Sequence, residues 1–282
     1  ILRDEYGVLP PGDLRQCLVA LSRSSETMRN LMNYRFDSGQ LSGHNFGNLL
    51  ITVFEKISKN YNEAIDAISE VLNIQGRVVP VTLDNVRLVC KLRDGKVING
   101  EHIIETASVS ESWVSLMSLS ESATANPLAI KAIGEADMII VCPGNLYASL
   151  IPNLLVRGIP EALRKSDAKK VFVCNLMNRR QQTDGYSVHD YVDALETYIT
   201  PDFFTHVIAN NKMPRVELVR KYKHESSPVI VAKSKVPKFY KITTGNFLSN
   251  KNVVLKRGDP INRTLIRHDS DKLARHIVRL LN

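Results

Sequence analysis

Several features that would settle the class of this protein are missing from its sequence. No apolar run approaches the roughly 20 residues that a membrane-spanning helix needs, so we expect no membrane span. The four cysteines stand far apart without a CxxC pair, which excludes a zinc ribbon or a thioredoxin motif. The seven histidines show no metal-ligand spacing. Each cysteine lies in an apolar run, so we expect buried, reduced thiols in a cytoplasmic protein.

The remaining composition is that of an ordinary globular protein. Of 282 residues, 44% are hydrophobic and 23% are charged, which excludes a disordered chain. The length suits one large α/β domain, and we expect a single domain over residues 1–282.

Positive charge is concentrated near the end of the chain. Residues 212–282 carry 17 of the 37 lysines and arginines but only 5 of the 29 acidic residues. This asymmetry indicates an anionic ligand or, alternatively, a solvated lysine-rich surface. Few aromatic residues lie among these charges and no nucleic-acid module is recognisable, so nucleic acid is not an expected partner.

Helical spacing dominates the first part of the chain, and β patterns follow. The spacing predicts helices that start near Asp13, Met28, Phe46 and Ala64. Strands are then predicted at Arg77–Thr82 and Val86–Leu92, with an Asp94-Gly95 hairpin turn before Val97-Ile98. We interpret residues 76–105 as a β-hairpin insertion, and the serine-rich stretch 108–122 as a loop.

Strands and helices alternate over the rest of the sequence. Short apolar strands are predicted at Met138–Val141, Val171–Cys174, His206–Ala209 and Pro228–Val231. The intervening and final helices are predicted at Asn153–Lys165, His189–Tyr198, Val216–His224 and Ser270–Leu281. This alternation predicts an α/β fold with a doubly wound, mostly parallel sheet, and ligands outside the carboxyl ends of the strands. The first element is a helix, so we expect either that the nucleotide-binding loop lies elsewhere or that an opening strand and its glycine-rich loop are missing from this sequence.

Polar turns follow two of the predicted strands. Gly144 and Asn145 come directly after the strand ending at Val141, where backbone N–H groups and a helix start favour an anion. The alternative is an ordinary connection between a strand and a helix. Asn175 follows the next strand and leads to Thr183 and Asp184. Asp184 is a carboxylate that Mg²⁺ accepts, but one carboxylate does not define a metal site.

Further candidates lie at both ends of the chain. His44 and Asn48 are four residues apart in a glycine-rich stretch and are predicted to share a helix face, where they meet a phosphate or sugar or simply support the turn. Asp13 is predicted as a helix N-cap. Arg15 in the first helical turn opposes the helix dipole, so an acidic or phosphate partner is expected. Arg267 is able to grip a diphosphate.

Taken together, these motifs resemble the bacterial gluconeogenesis factor family of the phospholactate transferase superfamily. The resemblance covers essentially the whole chain in order. It rests on Leu9-Pro-Pro-Gly-Asp-Leu-Arg15, Arg35-Phe through Gly43-His-Asn-Phe-Gly-Asn48, Ala136-Asp-Met-Ile-Ile through Pro143-Gly-Asn-Leu-Tyr147, Asn175-Leu-Met177, Thr183-Asp-Gly-Tyr186 and Arg267-His-Asp269.

The resemblance implies a fold, a location and a ligand. The fold is Rossmann-like with a helical and β-hairpin insertion, and the location is the cytoplasm. Family members bind UDP-sugars, UDP-N-acetylglucosamine in particular, and regulate cell shape and the supply of cell-wall precursors on non-glycolytic carbon. A partner enzyme of cell-wall precursor synthesis and a homodimer are accordingly expected, with Mg²⁺ as an optional companion of the ligand. Matched by motif or by the chemistry above, the candidate ligand residues are Asp13, Arg15, His44, Asn48, Gly144, Asn145, Asn175, Thr183, Tyr222 and Arg267.

The chain also departs from the family pattern. The opening Gly-Gly-Gly-Thr-Gly loop is not in this sequence, and the usual Gly-Pro-Gly-Ser is Cys142-Pro143-Gly144-Asn145. A common Pro-Gly-Glu is replaced by Arg180-Gln181-Gln182, which we expect to alter ligand preference.

A transferase is the alternative function. The transferase branch of the superfamily moves a phospholactyl-type group onto a deazaflavin precursor and commonly reads Gly-Pro-Ser-Asn-Pro at the strand end. Asn145 resembles that branch, whereas the Leu146-Tyr147 pair after it favours the regulator.

Overall fold

The computed structural model describes residues 11–106, 114–222, 226–231, 239–251 and 265–281. The helices of these residues are α1 (Pro11–Leu21), α2 (Glu26–Asn33), α3 (Phe46–Ile57), α4 (Tyr61–Val71), α5 (Glu101–Thr106), α6 (Pro127–Gly134), α7 (Ile151–Leu154), α8 (Ile159–Lys165), α9 (Val188–Glu196), α10 (Val216–Arg220) and α11 (Ser270–Arg279). The strands are β1 (Leu88–Leu92), β2 (Val97–Asn99), β3 (Val114–Leu119), β4 (Met138–Val141), β5 (Lys169–Val173), β6 (Met177–Arg179), β7 (His206–Asn210), β8 (Ser226–Pro228) and β9 (Lys241–Gly245). A π-helical turn, Leu146–Leu150, directly precedes α7.

Residue contacts divide the chain into two compact units. The first unit is Ile1–Asn85 with Val254–Asn262, and it contains α1 to α4. The second unit is Val86–Val253 with Arg263–Asn282, and it contains β1 to β9 and the other helices. No helix among the described residues is both long enough and apolar enough to cross a membrane.

Side-chain caps start three helices of the first unit. The side-chain oxygens of Ser25, Asn45 and Asn60 each accept a hydrogen bond from the backbone N–H three residues later, which satisfies a donor that the helix itself leaves unpaired. The apolar faces of the helices then meet in a core. Its buried members are Leu18, Met32, Ile51, Ile68 and Leu72.

Two predictions for the first unit are wrong. Asp13 is not an N-cap, because α1 already includes Pro11 and places Asp13, exposed, in its first turn. Proline suits that position because its missing N–H has no partner in the first turn of a helix. The segment Arg77–Thr82 does not form a strand. Pro80 removes a donor that a sheet ladder would need, and Val78 packs instead against the helical core.

A parallel sheet in the order β4-β5-β7-β9 forms the centre of the second unit. Val171 and Phe172 of β5 and Val207 of β7 are fully buried, as expected for inner strands covered on both faces. Leu273 and Ile277 of α11 pack against one face of the sheet. The predicted α/β fold with a mostly parallel sheet is confirmed.

The fourth strand of this sheet is not the predicted one. Pro228–Val231 was expected there, but Pro228 ends β8, which pairs antiparallel with β6 outside the main sheet. The fourth position is taken by β9, whose Lys241, Thr243 and Thr244 gave little apolar signal. An edge strand needs less burial than an inner one, so its sequence is more polar.

Strands β1, β2 and β3 form a three-stranded antiparallel sheet in the order β2-β1-β3. The predicted hairpin is confirmed, with Gly95 at φ +86° in the turn between β1 and β2. The loop predicted over 108–122 is wrong for β3, where Met117 is buried opposite Cys90. Residues 108–113 lie outside the described part of the chain.

All four helices predicted for the second unit differ in their bounds, and α9 runs over Val188–Glu196 where His189–Tyr198 is predicted. The helix predicted at Asn153–Lys165 is interrupted at Gly158, whose φ of +102° belongs to the left-handed region, and α8 begins after it. The helix predicted at Val216–His224 ends at Arg220, and positions 223–224 lie outside the described residues. The last helix ends at Arg279, close to its predicted end.

Candidate functional site

The side chain of Asn145 holds the turn that follows β4. Its Oδ1 accepts hydrogen bonds from the backbone N–H groups of Tyr147 at 3.1 Å and Ala148 at 3.0 Å. Its Nδ2 donates to Oε1 of Gln182 at 3.1 Å. Asn145 therefore caps the π-helical turn and uses both ends of its amide in doing so. At Gly144, an added Cβ would lie 3.0 Å from Leu150 Cδ2, so glycine permits the close packing of the turn.

Asn175 joins the end of β5 to the turn after β4. Its Nδ2 donates to the backbone carbonyl of Gly144 at 2.8 Å. Its Oδ1 is buried and has no hydrogen-bond partner among the described residues, and the same holds for Oδ1 of Asn178 in β6. An unpaired buried oxygen costs about 1–3 kcal/mol. A donor supplied by a ligand would remove that cost at Asn175.

The segment that carries Thr183 is an internally bonded loop. Thr183 is buried, and its Oγ1 accepts from the Arg179 N–H at 2.9 Å and from the Tyr191 hydroxyl at 3.1 Å. Asp184 is exposed, and its carboxylate accepts from the Gln181 N–H. These contacts give Thr183 and Asp184 structural roles in the turn.

Tyr222 and the segment of Arg267 are brought together within the second unit. The Tyr222 hydroxyl accepts the Ile266 N–H at 3.2 Å, which fixes the phenol beside the residue that precedes Arg267. His268 interacts with the backbone of Cys174, at the end of β5. Burial lowers the pKa of His268 from 6.5 to about 4, and the contact with Cys174 only partly opposes that effect. The imidazole is therefore neutral at physiological pH.

A hydrogen bond between two tyrosine hydroxyls also joins the turn after β4 to the loop after β6, which the Asn145–Gln182 bond already connects. Tyr147 and Tyr186 share a hydrogen bond of 3.0 Å, and the ring of Tyr186 lies edge-on to that of Tyr191 at 5.6 Å. Burial, and then the bond to Tyr186, raises the pKa of Tyr147 well above its ordinary value. Tyr147 thus keeps its proton and acts as a neutral hydrogen-bonding group.

A separate polar cluster surrounds Arg15 in the first unit. The Arg15 side chain is 4% exposed, its Nε donates to Asn48 Oδ1 at 3.1 Å, and its Nη1 donates to Asn33 Oδ1 at 2.7 Å. Nη1 also lies 3.4 Å from the Met32 carbonyl. Amide and carbonyl oxygens are thus among the partners of the guanidinium.

His44 and Asn48 do not share a helix face, contrary to the prediction. The helix α3 begins at Phe46 and Asn45 is its cap, so His44 precedes the helix while Asn48 lies inside it. The Asn48 side chain is directed to Arg15.

The sequence also predicts whether a metal ion is bound and whether the cysteines are buried. Within the described ranges, no group of three or more His, Cys, Asp and Glu side chains is placed to hold a metal ion. Cys90 and Cys174 are buried as expected, but the prediction is wrong for Cys17 and Cys142, which are exposed. Cys142 is exposed because it stands in the turn beyond the end of β4.

The fold brings one subset of the candidates to the carboxyl ends of β4 and β5. That subset is Gly144, Asn145 and Asn175, with Thr183 in the adjoining loop. Asp13, Arg15, His44 and Asn48 belong to the first unit. Gln182 was named only within the Arg180-Gln181-Gln182 departure and His268 only within the Arg267-His-Asp269 motif, so neither residue had a predicted role of its own.

Comparison with known proteins identifies the relatives of this chain. The family model described as 2-phospho-L-lactate transferase CofD matches residues 1–245. The putative gluconeogenesis factor of Clostridium acetobutylicum is 38% identical over 99% of this chain, which spans 60% of that relative's length. The gluconeogenesis factor of Bacillus subtilis is 34% identical over 99% of this chain and 85% of its own length.

A solved structure agrees with these matches. The crystal structure of a UPF0052 family member from Bacillus halodurans aligns with a TM-score of 0.88 and 31% identity, covering 98% of this chain and 85% of that one. With the sequence relatives, this likeness shows that the chain belongs to the 2-phospho-L-lactate transferase CofD family, among the relatives that are named gluconeogenesis factors.

Proposed function

We propose that this protein binds a UDP-sugar, UDP-N-acetylglucosamine in particular, and acts as a cytoplasmic regulator of cell shape and cell-wall precursor supply. The names of its relatives support a role in carbon use, since gluconeogenesis factors match nearly the full chain. The ligand would lie at the carboxyl ends of β4 and β5, where ligands of open α/β sheets are found.

The pairing of Tyr222 with the Arg267 segment is the observation that carries this proposal. A phenol ring stacks on a base or sugar, and a guanidinium binds a diphosphate through two parallel hydrogen bonds. The bond from the Ile266 N–H to the Tyr222 hydroxyl holds the phenol beside the backbone that leads into Arg267. The neighbouring His268 is neutral, so it offers a ring nitrogen to a ligand without adding charge.

The groups at this edge are suited to binding more than to proton transfer. Asn145 and Asn175 are amides, and the raised pKa of Tyr147 makes its hydroxyl a poor base at neutral pH. We therefore favour a regulator over an enzyme.

Isothermal titration calorimetry would test the ligand. We expect heat on titration with UDP-N-acetylglucosamine, measured with and without Mg²⁺, and no turnover of the ligand during the titration. A deazaflavin precursor titrated in parallel should give no heat. The absence of binding heat with UDP-N-acetylglucosamine would contradict this proposal.

Arg267→Ala is the sharpest variant for the same experiment. Loss of a charge-assisted contact worth about 1.5–3 kcal/mol should weaken UDP-sugar affinity roughly 10- to 150-fold. Arg275→Ala is the matched control, because Arg275 is an exposed arginine on α11 and its loss changes the net charge equally. Equal affinities of the two variants would contradict the role of Arg267.

A transferase is the second candidate, and the description of the matching family favours it. In that case the protein would transfer a phospholactyl-type group to a deazaflavin precursor. Binding of the deazaflavin precursor, without binding of UDP-sugars, would support this candidate. Asn145 and Asp184 would then be the residues to replace.

A further inference from the structure

Gln182 links the turn after β4 to helix α5 of the insertion. Its side chain is 5% exposed. Its Oε1 accepts from Asn145 Nδ2 at 3.1 Å, and its Nε2 donates to the backbone carbonyl of Ile104 at 3.1 Å. Since Asn145 in turn accepts from the N–H groups of Tyr147 and Ala148, an unbroken series of hydrogen bonds runs from α5 to the π-helical turn.

An uncharged amide fits this position for a chemical reason. Gln182 must donate at one end to a carbonyl and accept at the other end from an amide N–H. A carboxylate has no proton to donate to the Ile104 carbonyl, and a hydrocarbon would leave both partners unpaired. Because the site is buried, either change leaves polar groups without a partner.

We infer that Gln182 is a positioning residue that fixes Asn145 and the turn Leu146–Leu150 against α5, and thereby sets the shape of the ligand edge. The inference rests on the proposed function, since it concerns the same edge.

Two other contacts also hold the turn after β4 in place, so the fold does not depend on Gln182 alone. Asn175 binds the Gly144 carbonyl, and the hydroxyls of Tyr147 and Tyr186 meet at 3.0 Å. The first contact joins the turn after β4 to the end of β5, and the second joins that turn to the loop that contains Gln182. These contacts should keep the turn in place when Gln182 is replaced. A variant should therefore release the Asn145 side chain without unfolding the protein.

Gln182→Glu tests this role through pH. At pH 8 the new carboxylate faces the Ile104 carbonyl without a proton, and UDP-N-acetylglucosamine affinity should fall about tenfold. At pH 5.5 the buried carboxyl takes up a proton, which burial favours, and it can again donate to Ile104. The ratio of variant to parent dissociation constants should then return to within about threefold of one.

The control variants separate positioning from simple damage. Gln181→Glu adds the same charge at the adjacent residue, whose side chain is not part of the series, and should match the parent at both pH values. Gln182→Met keeps the volume without either partner and should bind about tenfold more weakly at both. The Tyr147, Tyr186 and Asp184 side chains are present in every variant, so their own contributions cancel in the ratios.

Hydrogen exchange of the protein without ligand provides a readout independent of the proposed function. The amides of Tyr147 and Ala148 should exchange about tenfold faster in Gln182→Glu than in the parent at pH 8, after correction for intrinsic rates, and equally at pH 5.5. If the parent binds no UDP-sugar but the exchange follows this pattern, the proposed function fails and the positioning role stands. Unchanged exchange, or a loss that does not depend on pH in Gln182→Glu, overturns the positioning role.

Discussion

Two clusters of asparagine side chains, one in each unit, differ in how their amide oxygens are used. In the first unit, the oxygens of Asn33 and Asn48 both accept hydrogen bonds from Arg15. In the second unit, Asn175 donates to the Gly144 carbonyl, while its own oxygen is buried without a partner among the described residues.

We propose that this difference separates groups that stabilise the fold from groups that bind a ligand. A buried cation surrounded by amide and carbonyl oxygens contributes to stability as long as every partner remains. A buried oxygen without a donor lowers stability, and such strain is common where a protein binds something. Changes in the Arg15 cluster should therefore affect unfolding, and changes at Asn175 should affect ligand affinity.

Replacement of Arg15 should have the largest effect. Arg15→Leu leaves the oxygens of Asn33, Asn48 and Met32 without the donors that they now have, so we expect a loss of about 3 kcal/mol in unfolding free energy. Urea unfolding followed by circular dichroism would measure it.

Arg23→Leu is the matched control for that change. Arg23 is exposed in the same unit, and a surface substitution of this kind is usually within about 0.5 kcal/mol of the parent. If the two leucine variants unfold at the same urea concentration, the Arg15 cluster does not stabilise the first unit.

His268 provides a second contrast, because it is a buried base kept neutral whereas Arg15 is a buried cation. Its pKa falls from 6.5 to about 4 in the folded protein, so the unfolded chain binds the proton more tightly. The stability from the neutral imidazole is complete above pH 6.5 and is lost as the pH falls from there toward 4. At pH 5 we expect a loss of about 2 kcal/mol relative to pH 7.5.

The measurement of stability against pH needs a control variant in which residue 268 cannot take up a proton. In His268→Gln the corresponding part of the loss should disappear, since glutamine does not take up a proton, and urea unfolding from pH 7.5 to 4.5 would compare the two proteins. Parallel pH curves for the parent and His268→Gln would show that the imidazole does not titrate as its burial implies.

The sequence predicted three of the four strands of the parallel sheet because their apolar residues leave a strong signal. The strands β4, β5 and β7 are short apolar runs. The Asp94-Gly95 turn likewise indicates the hairpin of β1 and β2 directly. The edge strand β9 and the serine-rich β3 were missed, since each is defined by its partner strand more than by its own residues. Their polar residues match a loop equally well in a single sequence.

Part of the candidate site could be predicted for a similar reason. Asn145 and Asn175 follow apolar strands, so their position near the sheet edge could be inferred from the chain alone. Gln182 could not, because its partners Asn145 and Ile104 are 37 and 78 residues away in sequence. Only the folded chain shows that its amide connects them.

Replacement of Asn175 should have the smallest effect on stability and a clear effect on binding. Asn175→Ala loses the bond to the Gly144 carbonyl but also removes the unpaired oxygen, so the two changes offset each other to within about 1 kcal/mol. If a ligand donor pairs with that oxygen, UDP-N-acetylglucosamine affinity should fall about tenfold in calorimetry.

Asn153→Ala is the control for this last comparison, since Asn153 also donates through Nδ2 to a backbone carbonyl, that of Ser149 at 2.7 Å, but is exposed. It should leave the affinity unchanged. A destabilisation of 3 kcal/mol in Asn175→Ala, with affinity equal to that of Asn153→Ala, would place Asn175 with the Arg15 cluster as a structural group. The contrast between the two clusters would then concern hydrogen-bond geometry and not ligand binding.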